Sequence, residues 1–213
     1  MTDTWKAARM DAALVAPYWK VIAFTLLLPV AFVAINRSLL TGVSFAMCFV
    51  AMTTGYPFSV AEKSHMERLY GILPVRRRSL VAGRYLLVLG LGAAALTVSL
   101  ALHPLVLRAL GEPVAAADIG RAAAGGALLY TLYTVFQLPG YYRYGAIKGR
   151  VFLYIPVAGF LATLLVFPRV PGLAAELAGR APAALAGLVL AAAVGLYALS
   201  VWVSVRIVTR KEL

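Results

Sequence analysis

The chain has 213 residues, 62% hydrophobic and 13% charged, with a mean hydropathy of +0.88. Soluble domains run near ~45–50% apolar and ~25% charged, so this composition excludes a water-soluble globular domain and marks an integral membrane protein. The formal charge of +12, from 20 Lys and Arg against 8 Asp and Glu, points first to membrane topology rather than to nucleic acid, because basic residues collect in cytoplasmic loops.

The N-terminal stretch 1–17 reads as a helix started by Thr2 or Asp3, with Trp5, Ala8, Ala12 and Val15 on one face and Lys6 and Arg9 on another. That pattern suits an amphipathic helix lying in the membrane interface. Pro17 ends it, and Tyr18, Trp19 and Lys20 anchor the entry to the first span. No removable signal peptide is visible ahead of it. Apolar segments then follow at about 21–35, 39–60, 80–107, 122–138, 151–167 and 183–205. A bilayer span takes about 20 residues, so six spans use about 120. What is left is scattered in short pieces, and the whole chain 1–213 reads as one all-α transmembrane domain.

An even number of spans puts both termini on one side. Arg37, Arg108, Arg121, Arg169 and Arg180 fall on the other side, while the remaining fifteen Lys and Arg fall on the side of the termini. This bias places both termini and the two longer basic connections in the cytoplasm. On the outer side, a tight turn near Asn36–Ser38 and the loops 108–121 and 168–182 leave no room for a folded ectodomain.

The chemistry expected of an enzyme is missing from the pattern. The acidic residues all fall in tails, in loops or at span edges, which argues against a proton- or sodium-coupled carrier. His65 and His103 sit on opposite sides of the membrane, and Cys48 is alone in an apolar run, so no metal site or disulfide is expected. His103, followed by Pro104, reads as a helix-end residue sharing the interface with water. None of the five lysines follows a glycine, so the Gly-Lys pair of a phosphate-binding P-loop does not occur. Any ATP that drives this chain must be hydrolysed by a partner.

The richest stretch is the connection from Ala61 to Ser79. Met66, Leu69, Tyr70 and Leu73 follow the i, i+3, i+4, i+7 spacing of a helix with an apolar stripe, with Glu67 and Arg68 off to its side. Pro74 ends that helix, Arg76–Arg78 meets the headgroups, and Ser79 is placed to cap the third span. The stripe must be covered, either by the protein's own helices or lipid, which spacing alone favours, or by a groove on a partner. In the second cytoplasmic connection, Tyr142, Arg143 and Tyr144 read as an interfacial anchor of snorkelling side chains in preference to a partner contact. Thr53 and Thr54 near the inner end of the second span, and Tyr130, Tyr133 and Gln137 on one face of the fourth, either line a pathway or glue helices together. Packing is the preferred reading.

A resemblance adds to this. Glu62-Lys63, the run Leu69-Tyr70-Gly71-Ile72-Leu73-Pro74-Val75-Arg76-Arg77, and Val81 and Tyr85 beyond it are similar to the pattern that short six-helix permeases of the bacterial type-2 ABC exporter superfamily carry between their second and third spans. Leu138-Pro139-Gly140-Tyr141-Tyr142-Arg143-Tyr144-Gly145, with Lys148-Gly149-Arg150, resembles that family's sequence after the fourth span, and the tail ending in Arg210-Lys211-Glu212-Leu213 resembles its C-terminus. Gly71 departs from a good helix, costing about 1 kcal/mol relative to alanine. The resemblance implies a multi-pass subunit of the bacterial plasma membrane that pairs with a second copy or a homologue. It also implies recruitment of two ATP-binding subunits, which would hold the ATP and Mg, this chain holding no cofactor. Met66, Glu67, Arg68, Leu69, Tyr70, Leu73, Pro74, Arg76 and Arg77 become the ATPase-coupling loop by the same resemblance. The cargo it implies is amphipathic or hydrophobic, a peptide, lipid or drug. The competing reading is a vitamin-type capturing membrane subunit of an ATP-driven importer.

Overall fold

A computed structural model describes residues 3–66, 75–159 and 182–210, without the side chains of 182–190. Every regular element among the described residues is helical. Helix α1 (Asp3–Val15) passes through a short 3-10 turn, Ala16–Tyr18, into α2 (Trp19–Asn36). Apolar residues surround α2 on all sides, as expected for a helix facing hydrocarbon, and only Pro29 and Val33 are buried. Arg37 adopts the left-handed conformation (φ 48°), and its N–H donates to the Val33 carbonyl. Ser38 then caps α3 (Leu39–Thr53), its Oγ accepting from the Thr41 N–H at 3.3 Å. The tight turn expected at Asn36–Ser38 is therefore present.

The second predicted span is two helices rather than one. Thr54 and Gly55 break the run, and α4 (Tyr56–Lys63) restarts with Pro57 in its first turn, where the missing proline N–H costs nothing. Helix α5 (Arg77–Ala109) begins with Arg76 in the extended N-cap position, so Ser79 lies inside the helix and does not cap it. Helix α6 (Ala116–Lys148) covers the fourth predicted span and continues through what the sequence suggested was a loop. Next come a 3-10 stretch (Gly149–Leu153), helical turns over 154–159, and α7 (Pro182–Arg210). The fifth predicted span is described only to residue 159.

Among the described residues, four helical stretches are long and apolar enough to cross a membrane: Asp3–Asn36, Leu39–Lys63, Arg77–Ala109 and Ala191–Arg210. Helix α6 is equally long but carries Asp118, Arg121, Gln137, Arg143 and many glycines and hydroxyls. It pays for that polarity by burial, packing against α3 and α7 and, less extensively, α5. The core runs along this seam through Val43, Met47, Val50, Val88, Tyr130 and Leu138.

Contacts gather the described connections at two ends of the bundle. At one end, Arg37 in the α2–α3 turn pairs with Glu112 after α5. At the other, α1 pairs with the start of α5, α4 bonds to the end of α6, and Arg77 reaches the Val208 carbonyl near the end of α7 at 3.4 Å.

Candidate functional site

Of the predicted coupling residues, Glu67, Arg68, Leu69, Tyr70, Leu73 and Pro74 lie outside the described residues. Met66 closes the described part of the α4 side, and Arg76 and Arg77 open the α5 side. The structure thus shows what holds each flank of this stretch.

The α5 flank is held by α1. The residues of α1 buried against the bundle are Ala7, Ala8, Asp11 and Val15, while Trp5 and Ala12 are exposed. The reason is a close backbone approach: at Gly83 of α5, a Cβ would sit 2.7 Å from the Ala7 Cβ and 2.8 Å from both the Ala8 nitrogen and the Thr4 carbonyl oxygen. Small residues permit such contacts between helices in lipid. The covered face also carries a charge. Arg84 Nε and Nη2 each donate to one Asp11 carboxylate oxygen at 2.8 Å, a two-point geometry that fixes orientation as well as distance. Asp11, counted from sequence among the acids of tails and loops, is buried. The Arg84 guanidinium also lies 4.5 Å from the Phe58 ring centroid and 5.9 Å from that of Tyr142, a cation–π setting that adds to the pair.

The α4 flank is held by α6. Gly145 adopts φ 80°, ψ 179°, a region open essentially to glycine alone. The bend frees the N–H of Ala146, which donates to Glu62 Oε2 at 2.8 Å. Tyr142, Arg143 and Tyr144, predicted in a loop, are therefore the last residues before a bend in α6. Tyr142 packs edge-on against Phe58 and Tyr144 stacks on Phe152. Arg143 lies 5.6 Å from the Tyr144 ring centroid. Between the two ties is a cavity of about 700 Å³ lined by Asp11, Glu62, His65, Arg84, Tyr142 and Arg143 among others.

The five polar residues of the second and fourth spans do come together, as a buried seam between α3 and α6. Thr53 and Thr54 each donate back to a carbonyl one turn earlier, at 2.7 Å. Thr54 also donates to Gln137 Oε1 at 3.3 Å, and Gln137 Nε2 donates to the Tyr141 hydroxyl. Tyr130 donates to the Val88 carbonyl at 2.6 Å, and Tyr133 is buried beside them. Of these bonds, Thr54 to Gln137 joins α3 to α6 and Tyr130 to Val88 joins α6 to α5. A second polar cluster was not anticipated: the Tyr85 hydroxyl lies 2.7 Å from Ser200 Oγ and 2.8 Å from Ser204 Oγ, tying α5 to α7. His103 corrects an expectation. It is buried inside α5 against Gly42, with Nδ1 unpartnered, instead of sharing the interface with water. Among the described residues, no group of His, Cys, Asp or Glu is placed to hold a metal ion.

No curated protein and no solved structure matches the chain. A family model described as "ABC-2 family transporter protein" matches residues 9–209. That match runs from α1, two residues before Asp11, nearly to the end of α7, and so takes in both ties and the stretch between them. The chain belongs to the ABC-2 transporter family, as a membrane component.

Proposed function

We propose that this protein is the permease subunit of an ATP-driven exporter, moving an amphipathic or hydrophobic cargo across the bacterial plasma membrane. Two separate ATP-binding subunits, holding the ATP and Mg, would drive it, and a second copy or a homologue would complete the pathway. In this reading the chain crosses the membrane six times with both termini in the cytoplasm, and α1 lies at the inner interface.

The observation that carries the reading is that both flanks of the 66–76 stretch are fixed to the bundle by charged contacts. Glu62 ties α4 to the bend in α6, and Asp11 ties α1 to α5 through Arg84. A stretch mounted in this way passes a displacement to three helices instead of absorbing it. When ATP draws the two ATPases together, the apolar side chains Met66, Leu69, Tyr70 and Leu73, gripped by a groove of the ATPase, move with it. Helices α4 and α5 follow, and α6 is pulled through Glu62. Separation of α3 from α6 would then expose the seam of Thr53, Thr54, Tyr130, Tyr133 and Gln137 to the pathway.

The test is to purify the protein with its ATP-binding subunit in lipid nanodiscs and replace Met66 and Leu69 by Asp. The expected result is loss of the ATPase's response to the permease, with the permease itself still folded. Undiminished coupling in that double variant would overturn the proposal.

A further inference from the structure

A second cavity, of about 680 Å³, opens between the ends of α6 and α7. Its walls carry the guanidinium side chains of Arg143, Arg206 and Arg210 and the rings of Tyr144, Phe152 and Trp202. Trp202, Arg206 and Arg210 recur every four residues and so share one face of α7. The ring stacking of Tyr144 on Phe152, with centroids 5.5 Å apart, builds the opposite wall.

The charge balance of this cavity is unusual. Among the described residues no carboxylate lines it, and none of the three arginines is in an ion pair. Two of the guanidiniums are instead held over rings, Arg206 at 5.2 Å from Trp202 and Arg143 at 5.6 Å from Tyr144. Stacking fixes a guanidinium plane while leaving its N–H edge to donate elsewhere. Three like charges line one cavity, with donors available and no anion among the described residues to balance them. Toward the bilayer the same face turns apolar: Leu199, one turn before Trp202, and Trp202 itself are both more than half exposed. The surface is thus cationic at its end and hydrocarbon-like along its length.

We propose that this cavity is a binding site for an anionic phospholipid, whose phosphate bridges Arg143, Arg206 and Arg210 while an acyl chain lies along the exposed face of α7. A free phosphate would use the arginines and leave the apolar track idle, and a soluble acidic partner would meet a face continuous with the hydrocarbon. Basic pockets between transmembrane helices at the cytoplasmic surface take such headgroups. Assigning the lipid to the cytoplasmic leaflet rests on the orientation proposed above; the site itself does not.

The experiment is native mass spectrometry of the purified protein in mild detergent, titrated separately with phosphatidylglycerol, phosphatidylethanolamine and glycerol 3-phosphate. The expected result is retention of phosphatidylglycerol in preference to the zwitterionic lipid, with glycerol 3-phosphate unable to displace it. Each Arg→Gln change among Arg143, Arg206 and Arg210 should weaken retention by about fivefold. The pair Arg108→Gln and Arg121→Gln, at the opposite end of the bundle, should leave it unchanged. Because the three arginines are exposed, the triple Gln variant should fold, and a triple Lys variant, which keeps the charge, controls for loss of structure. Equal retention of both lipids, full displacement by glycerol 3-phosphate, or undiminished retention in the triple Gln variant would overturn the proposal. Protease access to a C-terminal tag in intact cells checks the orientation separately, since binding in detergent has no sides.

Discussion

The two ends of the bundle each carry an ion pair with the same separation, 2.8 Å, yet in opposite settings. Asp11 and Arg84 retain 3% and 9% of their side-chain exposure, whereas Glu112 and Arg37 retain 34% and 63%. An exposed pair is screened by water and gains little. A buried pair gains much from its partner and loses more when the partner is removed, because a lone charge stays behind. Equal distances therefore conceal unequal consequences, and the end where charge is buried is the end that flanks the 66–76 stretch.

The comparison is broken most directly at Arg84. Arg84→Ala strands the Asp11 carboxylate and is expected to destabilise the fold by about 3–5 kcal/mol, read as a lowered melting temperature in detergent. Arg84→Ala combined with Asp11→Ala should recover most of that loss, since neither charge is then left alone. A double variant as unstable as the single would show that the ring contacts to Phe58 and Tyr142 matter more than the pair.

Next is the surface that brings the pair together. Gly83→Leu forces a side chain into the backbone of α1 and should cost about 1–3 kcal/mol. Because α1 is at a terminus, the strain is expected to be relieved by its release, visible as new protease cleavage near Arg9. An intact α1 in this variant would mean that the ion pair alone holds the helix.

On the α6 side, Gly145→Ala imposes a Cβ on φ 80° and should cost about 1–3 kcal/mol. Glu62→Ala removes only the acceptor of one N–H and should cost about 0.5–2 kcal/mol, as loss of a helix cap does. Both changes should weaken ATPase coupling more than they lower stability, which a comparison of melting temperature with stimulated hydrolysis would reveal. The smallest effect is expected at the opposite end: Arg37→Ala should change stability by no more than about 1 kcal/mol. A larger loss there would undo the contrast between the two ends.

Much of this arrangement is legible in the sequence because lipid imposes simple rules. Uniformly apolar runs mark helices, and the Asn36–Ser38 turn follows from a polar interruption too short to be anything else. What escapes is what depends on two distant segments meeting. Asp11 looks like one more charge in a tail; only its position on the same face as Ala7, Ala8 and Val15, set beside an arginine inside an apolar span, hints at a buried pair. The Pro, Gly and basic residues around Tyr142–Tyr144 suggest a loop because they punctuate soluble proteins, whereas here Pro139 stays within the helix and the chain turns only at Gly145. The break at Thr54–Gly55 was hidden inside continuous hydrophobicity, which records burial and is silent about kinks.

Helix α5 runs unbroken for 33 residues, a rod of about 50 Å at 1.5 Å per residue. Arg84 grips it near one tip, two turns from Arg77. The grip leaves about 37 Å of helix beyond it, so a pivot of some 5° there would swing the far tip by about 3 Å. A small motion imposed at the charged end would arrive enlarged at the other end of the helix.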